Sequence, residues 1–359
     1  MDVPDWIVIT ISLCLCSVVA LFILSLFPWT ITRNRNFRLH GRAILITGAG
    51  GGLGKQLAQD IIKTVIDSKE TNNEKVSTLK QTQLVLLDIS PLLLQQAKTD
   101  LEQHFGFERL GKAQIILHTF VCDVGSYETV KVVADEIKER ISPANVSVLI
   151  NNAGIVSGKS FLDLSCAEFE RTMKVNAVSH FYLLKQFIQG MSTASKPEAR
   201  SSEALVVTVS SLMGVLGAAR LSDYCSSKWA SLGFHESLRL ELASNPETRN
   251  IHMLAVCPHI LDTPMFEGAF QANSILEKLV TFCFPPLKVT DVSARVVSAM
   301  TFGEHFLILP IFMRIVPRVL HVLPVPIMDF ILGIVGGRSG MNGFKGRKTE
   351  NSSKKSKSS

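Results

Sequence analysis

Residues 47–54 read TGAGGGLG, and this glycine-rich stretch decides how the rest of the chain folds. It follows the apolar run RAILI and precedes a stretch whose periodicity predicts a helix from about Lys55 to Ile66. A strand, a glycine turn and a helix in this order suit phosphate binding. Gly48 allows the tight turn, while Gly52 and Gly54 let the backbone approach a pyrophosphate at the helix N-terminus. The stretch therefore predicts the first unit of a nucleotide-binding α/β sheet.

The chain beyond this turn alternates between apolar runs and helix-like stretches. The runs QLVLLD, AQIILHTFVCD, VSVLINNAG, ALVVTVSS, IHMLAVCP and HFLILP are typical of strands buried on both faces of a parallel sheet. Between them, Val130–Ile141 and residues 166–190 each predict one long helix, while the polar stretches 67–82 and 193–203 predict surface loops. Right-handed crossovers then give a single α/β domain, a Rossmann-type doubly wound parallel sheet.

The N-terminal segment predicts a membrane anchor. Residues 6–29 read WIVITISLCLCSVVALFILSLFPW, carry no charge, and are long enough to cross a bilayer as a helix with a tryptophan at each interface. Two aspartates precede the run and four arginines follow it within residues 33–42, whereas a cleaved signal peptide would begin with basic residues. We therefore expect a retained transmembrane helix in residues 1–31, with the arginine side in the cytoplasm.

Composition and charge limit the partners. The net charge of +6 is concentrated after the anchor and in the tail 345–359, so the body is mildly acidic. This distribution argues against nucleic acid and favours an anionic membrane surface, although a solvated tail explains the basic end equally well. Seven scattered cysteines show no metal-ligand spacing, so we expect no metal site and a reducing compartment.

The body and the C-terminal segment form two further regions. We expect the α/β domain to occupy residues 32–310. Residues 311–344 are strongly apolar but contain Arg314, Arg318 and several prolines, which makes them a poor spanning helix. The segment could lie on the bilayer, cover an apolar pocket, or form an ordinary core helix.

Asp88 at the end of QLVLLD predicts which dinucleotide binds. A carboxylate at the end of the second strand accepts hydrogen bonds from the adenosine ribose and repels a 2′-phosphate. Gly51 and Ile89, where a basic residue would meet that phosphate, are not basic. We therefore expect NAD in preference to NADP.

Two tyrosines have a lysine four positions later, a spacing that places both side chains on one helix face. These pairs are Tyr127 with Lys131 and Tyr224 with Lys228. Tyr224 follows Ser211, which ends a predicted strand at the edge where such sheets bind ligands. No hydroxyl-bearing strand end precedes Tyr127, which we interpret as a surface residue at a helix start.

The second pair predicts acid–base chemistry. The ammonium of Lys228 and an oxidised nicotinamide would lower the pKa of the Tyr224 phenol from about 10, so that it accepts an alcohol proton while hydride passes to the cofactor. The Ser211 hydroxyl would hold the reacting oxygen of the substrate. Asn176 would anchor a water that relays protons from Lys228.

The motifs TGAGGGLG, CDV, NNAG, VSS and YCSSK, in this order over about residues 40–310, resemble the short-chain dehydrogenase/reductase family. The resemblance implies a catalytic tetrad of Asn176, Ser211, Tyr224 and Lys228. It also implies a cofactor site formed by Thr47, Gly48, Gly50, Gly52, Leu53, Gly54, Asp88, Asp123, Val124, Asn152, Tyr224, Lys228 and Thr263. The family's proline–glycine after the sixth strand is Pro258–His259 here, which affects the local pocket wall.

The anchor with YCSSK, GFHESL and FPPLK resembles the membrane-bound branch of retinol and 17β-hydroxysteroid dehydrogenases. This implies oxidation of all-trans-retinol to all-trans-retinal, or of a steroid or another lipid alcohol, at the endoplasmic reticulum membrane or a lipid droplet. It also implies a homodimer. The insertion at 67–82 and the basic tail depart from that branch. The alternative is a non-catalytic lipid-droplet or scaffold protein on a nucleotide-binding fold, against which the complete Ser/Tyr/Lys set argues.

Overall fold

The sheet confirms the doubly wound parallel architecture. This computed structural model describes residues 37–72, 81–192, 203–269 and 285–346. Within them, seven parallel strands form one sheet in the order β3-β2-β1-β4-β5-β6-β7. The strands are β1 Ala43–Thr47, β2 Thr82–Asp88, β3 Ile115–Val121, β4 Val146–Asn151, β5 Ala204–Val209, β6 Ile251–Pro258 and β7 Phe306–Leu309.

Helices follow most of the strands. The longer helical elements are α1 Gly52–Asn72, α2 Pro91–Phe105, α3 Phe107–Lys112, α4 Tyr127–Ile141, α5 Cys166–Met173, α6 Ser179–Met191, α7 Ser222–Ser244, α8 Val289–Phe302, α9 Val316–Val322 and α10 Val325–Ile334. A π-helical turn at Lys174–Val178 joins α5 to α6, and single 3₁₀ turns occur at Leu212–Gly214, Pro264–Phe266 and Ile311–Arg314.

Two apolar layers cover the sheet because successive strand residues point to opposite faces. Ile44 and Ile46 of β1 pack with α1, α2 and α8, whereas Leu45 packs on the other face with α4, α6 and α7. The strand order reverses between β1 and β4, so the loops after these strands diverge and leave a crevice at their carboxyl ends. Both the glycine turn and the NNAG motif lie there.

Several helix boundaries differ from the sequence-based expectation. Helix α1 runs to Asn72, so the loop expected at 67–82 begins inside it, because no proline or glycine interrupts its polar last turns. Residues 166–190 are not one regular α-helix, since the π turn divides them. Helices α3 and α8 were not predicted at all.

The anchor expected in residues 1–31 lies outside the described part of the chain, which begins at Phe37. Among the helices of the four described ranges, none combines the length and apolar character needed to cross a bilayer.

The segment after β7 packs against the N-terminal end of α7, where Tyr224 lies. Met341 and Phe344 belong to the apolar cluster around that tyrosine, and the Ala219 amide donates to the Gly337 carbonyl at 2.8 Å. The Lys345 amide donates to the Glu267 carbonyl at 2.9 Å. By contrast, none of the residues of α10 is fully buried, so this helix presents an apolar outer surface.

Candidate active site

The glycine turn brings the start of α1 against β1. Gly48 has a φ of +65°, a conformation that favours glycine. A Cβ atom on Gly54 would lie 2.1 Å from the Gly48 carbonyl oxygen, so only glycine allows this approach. The Leu53 side chain between them is buried. The backbone is therefore shaped as a cradle that any larger residue would fill.

Asp88 fixes the far side of this cradle. One of its carboxylate oxygens accepts from the Gly50 amide at 2.9 Å, and the other accepts from the Ser90 amide at 3.0 Å. Each oxygen retains a further lone pair, and the side chain is only half-buried. The neighbouring Ile89 is 57% exposed. The carboxylate is thus oriented and available to a ribose hydroxyl.

Thr47 and Asn152 hold the two central strands together at the crevice. The Thr47 hydroxyl oxygen accepts from the amides of Asn152 at 2.9 Å and Ala153 at 3.0 Å. The Asn152 Nδ2 donates in turn to the Thr47 carbonyl at 2.9 Å. These bonds fix the separation of the loops after β1 and β4.

Asp123, Val124 and Thr263 border the same crevice. Asp123 accepts from the Gly125 amide at 2.9 Å and forms an ion pair with Arg171 at 3.0 Å, while Val124 is buried. Thr263 lies opposite the glycine turn, with its Cγ2 3.9 Å from where a Cβ on Gly52 would be. Sequence reasoning missed Arg171, because its partner lies 48 residues away and no local motif marks it. Together these residues fit a dinucleotide.

Asn176 braces two segments from within the π turn. Its Oδ1 accepts from the Ile155 amide at 2.8 Å, and its Nδ2 donates to the Ile155 carbonyl and to the Ser227 hydroxyl, both at 2.9 Å. The contacts of this carboxamide brace the NNAG loop against α7, and the water-anchoring role expected from the sequence stays a prediction.

Ser211 and Tyr224 form a buried hydrogen-bonded pair. Tyr224 is 5% exposed, and the Ser211 hydroxyl accepts from the Met213 amide at 3.1 Å. Burial raises the pKa of the Tyr224 phenol well above its ordinary value, while its hydrogen bond with Ser211 lowers that pKa. The phenol is therefore protonated at neutral pH in this structure.

Lys228 stands one helical turn after the tyrosine. Its Nζ lies 5.6 Å from the centroid of the Tyr224 ring and donates to the Val209 carbonyl at 3.0 Å. Burial lowers the pKa of this amine to about 8, and the nearby Cys257 thiol acts in the opposite direction. A Cβ on Gly154 would lie 3.6 Å from this Nζ and 3.5 Å from the Asn176 Oδ1. The NNAG loop, Asn176 and Lys228 therefore meet at this point.

Burial opposes the electrostatic effect that the sequence predicts. That effect, in which the Lys228 ammonium and an oxidised nicotinamide together lower the pKa of the Tyr224 phenol, stays a prediction. In the structure, loss of solvation is the largest effect and raises that pKa. The amine directs a donor towards a backbone carbonyl, and its own charge is disfavoured by burial.

The competing pair is placed as a surface feature. Tyr127 is the first residue of α4, is 41% exposed, and packs against Tyr182 with ring centroids 5.3 Å apart. Lys131 is exposed.

His259, which replaces the family's glycine, accepts from the Ile260 amide through Nδ1 and donates its own amide to the Leu309 carbonyl at 2.8 Å. It therefore ties the start of the loop after β6 to the end of β7.

Comparison with known proteins places the chain in a family. Residues 75–274 match the family described as short chain dehydrogenase. Retinol dehydrogenase 10-B of Danio rerio is 30% identical over 334 residues, covering 92% of each chain. Retinol dehydrogenase 10 of Homo sapiens is 32% identical over 308 residues, covering 84% of each chain.

Solved structures agree on the fold. A short chain dehydrogenase/reductase from Burkholderia phymatum, in complex with NAD, covers 85% of this chain and 98% of its own, with a TM-score of 0.59 and 20% identity. An alcohol dehydrogenase from Thermococcus sibiricus, complexed with 5-hydroxy-NADP, covers 75% of this chain and 94% of its own, with a TM-score of 0.55 and 19% identity. The sheet, the extent of the match and the curated relatives agree, and the chain belongs to the short-chain dehydrogenases, a family of oxidoreductases.

Proposed function

We propose that this enzyme oxidises a hydrophobic alcohol with NAD, and that all-trans-retinol, converted to all-trans-retinal, is its substrate. The observation that carries the proposal is the buried pair of Ser211 and Tyr224 beside Lys228, at the sheet edge that holds the glycine turn. The curated relatives named retinol dehydrogenases support the choice of alcohol.

The proposed proton acceptor is Tyr224. The nicotinamide cofactor supplies the hydride acceptor when it is bound. Ser211 orients the alcohol oxygen towards the phenol, and Lys228 carries the positive charge that favours the phenolate. After the phenol has lost its own proton, the Tyr224 phenolate oxygen accepts the proton of the alcohol, a transfer that typically contributes a rate factor of about 100 to 10,000.

The apolar side chains around Tyr224 support a hydrophobic substrate. Its ring packs edge-on against Phe266 at 5.8 Å, and the cluster around it includes Met341 and Phe344 from the C-terminal segment. We infer that residues 311–344 cover the substrate pocket while α10 rests on the membrane surface, which would let an alcohol dissolved in lipid enter directly. The anchor in residues 1–31 would place this face at the endoplasmic reticulum or a lipid droplet, with the catalytic domain in the cytoplasm.

The preference for NAD rests on one side chain. The oriented carboxylate of Asp88 suits two ribose hydroxyls and would repel a 2′-phosphate. Exposed Ile89 offers that phosphate no positive charge. The same carboxylate would therefore disfavour NADP.

The test uses microsomes containing the full chain, incubated with all-trans-retinol and either NAD or NADP. We expect retinal to form with NAD, and Tyr224→Phe to reduce its formation about 100-fold or more. Tyr127→Phe is the matched control and should retain full activity, because Tyr127 is half exposed on α4. Equal turnover by Tyr224→Phe and the parent would contradict the proposal.

A 17β-hydroxysteroid is the second candidate substrate. The pocket cluster is apolar and suits a steroid as well as a retinoid. A panel of retinol, hydroxysteroids and long-chain alcohols, compared by kcat/KM with NAD, separates the two. A non-catalytic scaffold has no observation in its favour.

A further inference from the structure

A group of buried polar side chains lies behind Lys228, between the sheet and helices α6 and α7. Asn151, His180 and His235 are at most 2% exposed. Among the residues that the structure describes, five of their polar atoms have no hydrogen-bond partner: both amide atoms of Asn151, both ring nitrogens of His180 and the Nε2 of His235.

The register of the sheet places these side chains in one layer. Asn151 of β4 lies beside Thr208 of β5, and neighbouring residues of parallel strands point to the same face. A hydrogen bond of 2.9 Å joins Thr208 Oγ1 to His235 Nδ1, which fixes that face as the one covered by α7. His180 lies three and four residues before Leu183 and Leu184, which pack on the same face, so its ring also points there.

This layer reaches Lys228. On α7, positions 228, 231 and 235 share one side, and the Ser231 hydroxyl contacts the Lys228 carbonyl at 2.8 Å and the Ser210 hydroxyl at 3.2 Å. The pKa of His180 is lowered to about 3, mainly by burial and then by the nearby charges of Lys228 and His235. His180 is therefore a neutral imidazole that can accept a hydrogen bond from the direction of the amine.

Unpartnered polar atoms in this number are rare in a folded interior. A buried donor or acceptor without a partner is destabilising, and buried water with about three hydrogen bonds is the usual remedy. The Lys228 ammonium has three donors, of which one is directed to the Val209 carbonyl.

We propose that Asn151, His180 and His235 hold ordered water behind Lys228, and that this water accepts a hydrogen bond from the Lys228 amine. His180 is then a positioning residue, which keeps the amine charged and correctly directed without touching substrate or cofactor. The inference rests on the proposed role of Lys228, but the presence of the internal water can be measured without enzymatic turnover.

The hydration test compares His180→Leu, which removes both ring nitrogens, with His180→Gln, which keeps hydrogen-bonding groups. We expect the leucine variant of the full chain to lose at least one long-lived internal water in water relaxation dispersion, and to unfold at a lower urea concentration than the parent. The glutamine variant should resemble the parent. If the site held no water, His180→Leu would remove polar atoms that have no partner and would not destabilise the fold. A leucine variant that is as stable as the parent or more stable, and that loses no internal water, would therefore refute the proposal. If leucine does not fold, His180→Met replaces it, because methionine adapts to irregular space.

The positioning test uses the pH dependence of kcat/KM. The groups that face the Lys228 amine are Tyr224 on its own helix, Cys257 of β6 and His180 of α6. Losing the water would disfavour the ammonium, raise the pKa of the phenol, and lower kcat/KM for oxidation about tenfold below neutral pH. His118→Leu is the matched control, since that half-buried histidine lies on β3 and bonds to Gln83 at 3.0 Å. An unchanged profile in His180→Leu would refute the positioning role. Should the parent oxidise no alcohol, the proposed function fails, whereas the water and urea measurements still decide the hydration.

Discussion

At the scale of single residues, burial controls the chemistry of the proposed site. Tyr224 and Lys228 are both nearly inaccessible to water. Burial disfavours the charged form of each, so it raises the pKa of the Tyr224 phenol and lowers that of the Lys228 amine. The motif showed where these residues meet but not how strongly they lose solvation, because solvation depends on the residues that cover them. Phe266, Met341 and Phe344, which follow them in the chain by 38 residues or more, supply part of that cover.

Cofactor choice can be tested at one position. Ile89→Arg places a cation beside Asp88 on an exposed side chain, so we expect kcat/KM with NADP, relative to NAD, to rise about tenfold. Val132→Arg adds the same charge at a position on α4 that is 59% exposed, and should leave the ratio unchanged. An unaltered ratio in Ile89→Arg would show that Asp88 and its neighbour do not face the ribose.

At the scale of elements, the strands were predictable and the irregular helices were not. Each predicted apolar run contains a strand, because the central strands are buried on both faces and are therefore apolar along their length. The π turn carries Asn176, whose side chain bonds to Ile155 and Ser227, 21 and 51 residues away along the chain. Arg171 and the polar layer of Asn151, His180 and His235 were missed for the same reason, since their neighbours come from separate elements.

The approach of α1 to β1 makes a prediction about stability. Gly54→Ala puts a methyl group 2.1 Å from the backbone oxygen of Gly48, which cannot move aside without opening the turn. We expect a loss of about 2 kcal/mol or more in the free energy of unfolding, together with weaker cofactor binding. Gly111→Ala in α3 is the control, because its Cβ meets nothing within 4 Å, and it should stabilise the fold by about 0.5 to 1 kcal/mol. Equal stability of Gly54→Ala and the parent in urea unfolding would contradict the close approach.

At the scale of the whole molecule, the fold hides histidines that an unfolded chain would expose. Burial lowers the pKa of His180 to about 3 and that of His235 to about 4, from an ordinary value of 6.5. Between those values the unfolded chain binds more protons than the folded protein, so stability falls as the pH falls. Both histidines lie between the sheet and its helices, so acid weakens the contact between those layers.

This linkage predicts an acid-dependent unfolding midpoint. We expect the urea concentration at the unfolding midpoint to decrease as the pH is lowered from about 6.5 to about 4. His180→Gln should reduce the slope of this midpoint against pH, because it removes one group that must stay neutral in the folded state. His104→Gln, at an exposed histidine near the end of α2, should leave the slope unchanged. A parent whose midpoint does not change over this range would show that these rings accept protons as readily in the folded protein as in the unfolded chain.

The most direct test of the proposed mechanism is the pH dependence of kcat/KM for NAD-dependent retinol oxidation by the full-length enzyme. The parent should become faster as the pH rises from about 6 to about 8, since its buried phenol must lose a proton to act as a base. Tyr224→Phe should be about 100-fold slower or worse, with no such rise. A rate in Tyr224→Phe that matches the parent, or a parent profile that is flat with pH, would contradict the assignment of Tyr224 as the proton acceptor.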